Sequence, residues 1–84
     1  MLKLKEWEQV QTLAHVYAEE LKVTYNIDVR VRPYTIYNGE KGIYLQLFDK
    51  YGCFYKQFAT GTHNDINKYK TALKQVHTLI EREI

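Results

Sequence analysis

Ile43-Tyr44-Leu45-Gln46-Leu47-Phe48-Asp49-Lys50-Tyr51-Gly52-Cys53-Phe54-Tyr55-Lys56-Gln57-Phe58 is the stretch on which the fold turns. Two β-prone segments flank Asp49-Lys50-Tyr51-Gly52. A two-residue hairpin turn would force positive φ on Lys50 and Tyr51, whereas a type I turn followed by a left-handed Gly52 carries no such strain. That loop sets Asp49 opposite Cys53 and pairs Phe48 with Phe54, Gln46 with Lys56, and Tyr44 with Phe58. Side chains alternate along a strand, so Tyr44, Gln46, Phe48, Phe54, Lys56 and Phe58 then share one side of the sheet. Ile43, Leu45, Leu47, Cys53, Tyr55 and Ala59 take the other side and form the expected core face. A slip of one residue would exchange the two sets.

Upstream, Ile27, Val29 and Val31 alternate with Asp28, Arg30 and Arg32, the period of a strand with one buried face. Arg30 and Arg32 point away from the core in this reading. Pro33 has no N–H for the ladder, which marks an edge strand or a bulge. Asn38-Gly39 reads as a tight turn, but a two-residue loop there would pair odd positions with even ones. Val29, Val31, Leu45 and Leu47 share a face only if there is a bulge near Pro33 or a longer loop.

Two amphipathic segments enclose these strands. Leu4, Trp7, Val10, Ala14, Tyr17, Ala18 and Leu21 follow helical spacing from about Leu4 to Lys22, with Asn26 as a left-handed cap. Near the other end, Ile66, Tyr69, Leu73, Val76 and Ile80 form a second stripe. Its start is signalled by Thr62 with Asp65 as a capping box, or by Asn64. The predicted fold class is therefore α+β in the order α-β-β-β-α: a three-stranded antiparallel sheet with two helices packed on one face.

The chain has 84 residues, read as a single domain over residues 1–84 that buries somewhat over roughly 60% of its unfolded surface. One cysteine excludes a disulfide framework and favours a reducing, cytoplasmic setting, with Cys53 as a buried apolar residue. No apolar run is long enough to span a bilayer, so no membrane partner is expected. A net charge of +2 is too small to announce nucleic acid by itself. Eight tyrosines are the compositional outlier, a residue suited to interfaces as well as cores.

Chemistry-bearing motifs are scarce. His15, His63 and His77 lack ligand spacing with one another or with Cys53, so no metal is expected. There is no phosphate loop, acid pair or nucleophile elbow, so neither a catalytic residue nor a cofactor site is assigned and the chain reads as non-enzymatic. What remains is the uncovered sheet face. A protein partner or a second copy of the chain is favoured there, with Tyr44, Phe48, Phe54 and Phe58 supplying contact area beside Gln46, and Arg30, Arg32 and Lys56 a polar rim. Nucleic acid is the alternative, with the same rings stacking bases and the same cations meeting phosphates. The small size and the Asn-, Lys- and Tyr-rich composition suit an accessory protein of a mobile element or bacteriophage.

The order α-β-β-β-α resembles that of double-stranded RNA-binding domains over nearly the whole chain. That family spans a phosphate groove with lysines at the start of its last helix. The matching segment here is Asn64-Asp65-Ile66-Asn67-Lys68-Tyr69-Lys70, where an acid stands first and the lysines follow. Gly42 to Lys74 is also similar in its strand-and-helix pattern to integrase arm-type DNA-binding domains, whose sheet enters a groove. Both resemblances imply nucleic-acid binding.

Overall fold

A computed structural model describes residues 2–84 and contains, in order, α1 (Leu4–Tyr25), β1 (Asp28–Thr35), β2 (Lys41–Phe48), β3 (Phe54–Ala59) and α2 (Ile66–Glu83). The strands form one antiparallel sheet in the order β1-β2-β3, which leaves β1 and β3 as edges. Both helices lie over the same face. Ala18 and Leu21 of α1 meet Val76 and Ile80 of α2 over Val29, Leu45 and Leu47. Trp7, Val10 and Ala14 meet Tyr69 and Leu73 over Ile43. The expected α-β-β-β-α architecture is the observed one.

The helix ends follow from local chemistry. Asn26 takes φ 55° and ψ 47°, and its N–H donates to the Lys22 carbonyl at 2.9 Å, closing α1 as its side chain anticipates. At the start of α2 neither sequence candidate is the cap. Asp65 itself accepts the Asn67 N–H at 2.8 Å, and the Thr62 hydroxyl donates instead to Glu40 at 2.6 Å. Leu4, placed in the core stripe by its spacing, is 70% exposed because it sits in the first turn of α1.

The two hairpin loops are built alike. In Asp49–Cys53 the Gly52 N–H donates to the Asp49 carbonyl and the Asp49 N–H to the Cys53 carbonyl, with Gly52 at φ +81°. The Asp49 carboxylate also accepts the N–H groups of Tyr51 and Cys53, each at 2.9 Å. In Ile36–Glu40 the same two bonds recur, with Gly39 at φ +88°. This longer loop resolves the parity conflict without a bulge at Pro33. Val29 pairs with Leu47, Val31 with Leu45 and Pro33 with Ile43 in an uninterrupted ladder on an edge strand.

The register of β3 departs from the expectation. Phe48 pairs with Phe54, but the next pair is Leu47 with Lys56, so Tyr55 is an extra residue in a β-bulge. From there on the faces exchange: Gln46 pairs with Gln57, Leu45 with Phe58, and Tyr44 with Ala59. Phe58 therefore packs against the helix-side core, and the Lys56 Nζ reaches Glu83 of α2 at 2.7 Å. Both leave the open face to which their alternation had assigned them. Cys53 closes the hairpin loop and is exposed, and Tyr55 and Ala59 are exposed too, so none of the three joins the core.

Candidate interaction face

The face opposite the helices is assembled from cross-strand rows. Asp28, Phe48 and Phe54 form the first row, Arg30, Gln46 and Gln57 the second, and Arg32, Tyr44 and Ala59 the third. Tyr34 and Gly42 form a fourth row across β1 and β2. Of the eight residues singled out by sequence, Arg30, Arg32, Tyr44, Gln46, Phe48 and Phe54 are brought together here, whereas Lys56 and Phe58 are not.

Side chains on this face are organised by one another. The Arg30 guanidinium lies 4.0 Å from the Phe48 ring centroid, and its Nη2 is 3.2 Å from the Asp28 carboxylate. Phe48 in turn meets Phe54 edge-on, with centroids 5.8 Å apart. Gln46 donates an amide N–H to the Gln57 side-chain carbonyl at 3.1 Å. The rings are thus held in place by one another, while Phe54 keeps 51% of its surface exposed.

Tyr34 is the residue that sequence reasoning passed over. Its ring stacks on Tyr44 at 4.4 Å with planes 28° apart. It also lies across Gly42, where an added Cβ would come within 2.3 Å of the phenol. Gly42 has no side chain because the Tyr34 ring occupies that space. Burial pushes the Tyr34 hydroxyl above its ordinary value, with Tyr44 adding to the effect and a backbone hydrogen bond from Gly61 opposing it. The signal was present in the alternation itself: Tyr34 continues the Arg30, Arg32 series once Pro33 is accepted into the ladder.

Arg32 has no hydrogen-bond or ion-pair partner among the described residues. Arg30 shares its charge with Asp28, and Lys56 spends its own on the far side of the sheet with Glu83. Among the described residues no group of three or more His, Cys, Asp or Glu could hold a metal ion. No described helix is long and apolar enough to cross a membrane.

Fold and site together define a class: an antiparallel three-stranded meander carrying two helices on one face and an ordered aromatic surface on the other. Compared with protein-family models, curated proteins and solved structures, the chain matches none.

Proposed function

We propose that the chain is a non-enzymatic binding module that engages a protein partner, another chain or a second copy of itself, through the open sheet face. The observation that carries this reading is Phe54. A half-exposed ring, buttressed by Phe48, on which the Arg30 guanidinium stacks in turn, is a pre-positioned apolar anchor with a polar surround. Ordering these side chains in the free protein reduces the entropic cost of binding. Tyr34, Tyr44 and the Gln46–Gln57 pair extend the same surface with groups suited to an interface.

Nucleic acid has less to stand on. Of the three cations proposed to meet phosphates, Lys56 is bonded to Glu83 on the helix side and Arg30 is paired with Asp28, which leaves Arg32. Phosphate contacts dominate nucleic-acid affinity, so a single unpartnered cation supports little of it.

A photoreactive residue placed at Gln57 on the open face, and in parallel at Lys74 on the outer side of α2, tests the proposal in cells and with the pure protein. A discrete protein adduct from Gln57, lost in the Phe54→Ser background and not formed from Lys74, supports it. Adducts alike from both positions, or none from either, overturn it. A nucleic-acid adduct from Gln57 that fades with added salt would transfer the face to the competing reading.

A further inference from the structure

Away from the sheet face, the chain forms a cleft of about 700 Å³ where the first turn of α1, the β1–β2 loop and the segment leading into α2 converge. That size lies within the roughly 300–1,000 Å³ of small-molecule sites. Its walls are cross-linked by hydrogen bonds. The Tyr69 hydroxyl donates to the Lys41 carbonyl at 2.5 Å and accepts the His63 N–H at 3.0 Å, tying β2 and the α2 approach to one buried ring. The Thr62 hydroxyl and the Asn38 amide each donate to the Glu40 carboxylate, at 2.6 and 2.9 Å. The His63 Nε2 stands 2.8 Å from the Thr60 carbonyl, and since a carbonyl only accepts, that nitrogen carries the hydrogen.

This internal bonding leaves an unbalanced lining. Glu40 accepts only from neutral donors and keeps its negative charge in the lining, against the two positive charges of Lys41 and Lys68. Lys41 and Lys68 also line the cleft, and neither Nζ has a hydrogen-bond or carboxylate partner among the described residues. The Lys41 Nζ instead stands 5.8 Å from the Trp7 ring centroid. Leu4, whose exposure breaks the core stripe of α1, adds an apolar side chain to the cleft lining. Two cations without a carboxylate partner, an exposed leucine and the edge of a largely buried indole form a surface complementary to a charged head on an apolar body.

We infer that this cleft binds a small organic anion, a carboxylate or phosphate attached to an aromatic or aliphatic group, with Lys41 and Lys68 meeting the anion and Leu4 and Trp7 the apolar part. The site is independent of the sheet face and stands or falls separately from it.

The test is a titration of the isotope-labelled protein by NMR with phenyl phosphate, its neutral counterpart benzyl alcohol, and inorganic phosphate. Phenyl phosphate should shift the Trp7 indole N–H and the amides of Asn38–Lys41 and Thr62–Asn64 saturably. Benzyl alcohol and inorganic phosphate should each bind at least tenfold more weakly. Lys41→Ala and Lys68→Ala should each weaken phenyl phosphate severalfold, and together at least tenfold, while Lys74→Ala on the outer side of α2 leaves it unchanged. Three results would overturn the inference: no saturable shift at millimolar ligand, equal binding of benzyl alcohol, or an affinity indifferent to loss of both lysines in a protein whose spectrum remains folded.

Discussion

The two faces of the sheet are made by adjacent residues of the same strands and reach order by different means. On the covered face Val29, Ile43, Leu45 and Leu47 have no exposed surface, because α1 and α2 lie over them. On the open face Tyr44, Gln46 and Phe48 are half-buried, and what covers them is each other, Tyr34 and the Arg30 guanidinium. A helix layer removes aliphatic side chains from water entirely. Side chains packed laterally on one sheet leave their upper surfaces bare, so that face is ordered yet still able to gain from contact.

Substitutions that trim each face should separate the two modes, the largest effect first. Leu45→Ala leaves a cavity under both helices and should cost about 3 kcal/mol in urea unfolding, within the usual range for core leucines. Phe58 and Phe54, four positions apart in β3, give the sharper contrast because the bulge at Tyr55 sends them to opposite faces. Phe58→Ser should lose about 2 kcal/mol through exposure of the core it packs against, and Phe54→Ser about 1 kcal/mol or less. Equal losses from the two would mean that β3 runs without its bulge.

Gly42→Ala probes the open face alone. The new methyl meets the far end of the Tyr34 side chain, which swings off Tyr44, and the loss should be about 1 kcal/mol, the worth of an aromatic pair. In Tyr34→Ala the same glycine substitution should cost almost nothing, a non-additivity read directly from a double-mutant cycle. The smallest effect is on pH dependence. Because the folded protein holds the Tyr34 proton more tightly than the unfolded chain does, this group's contribution is complete below the ordinary phenol value of 10.0 and is lost as pH rises through the raised folded value. Absorbance titration at alkaline pH should show a late-ionising phenol that Tyr34→Phe removes, measured in a Tyr25→Phe background because the hydrogen bond to Glu81 raises Tyr25 as well.

Periodicity made most of the architecture readable. Val29, Leu45 and Leu47 announce a core face by strict alternation, and Trp7, Val10, Ala14, Ala18 and Leu21 announce a helix stripe, because burial against one partner layer imposes one period. Turn chemistry read Gly52 correctly, and the second loop follows the same rule at Gly39. The register of β3 was not readable for the complementary reason. Phe54-Tyr55-Lys56-Gln57-Phe58-Ala59 places an aromatic residue and a polar one on each face in either phase, so hydrophobic alternation does not choose between them. The choice is made at long range: the bulge delivers Phe58 to the core and Lys56 to Glu83, contacts with a helix that begins only at Ile66. The face assignments of Lys56, Phe58 and Ala59 turned on that one residue.

The placement of α1 and α2 on the same face has a consequence for the order in which the protein can be made. Val76 and Ile80 belong to the same apolar cluster as Ala18 and Leu21, so the cover over Val29, Leu45 and Leu47 is shared between a helix made before the sheet and one made after it. A ribosome that has just released β3 holds a meander whose strands can pair within microseconds but whose aliphatic side lacks one of its two helices. Native burial waits until α2 has cleared the exit tunnel. Until α2 is available, the meander shows uncovered apolar surface on both sides, a form of the chain that holding chaperones would meet and the finished fold would not.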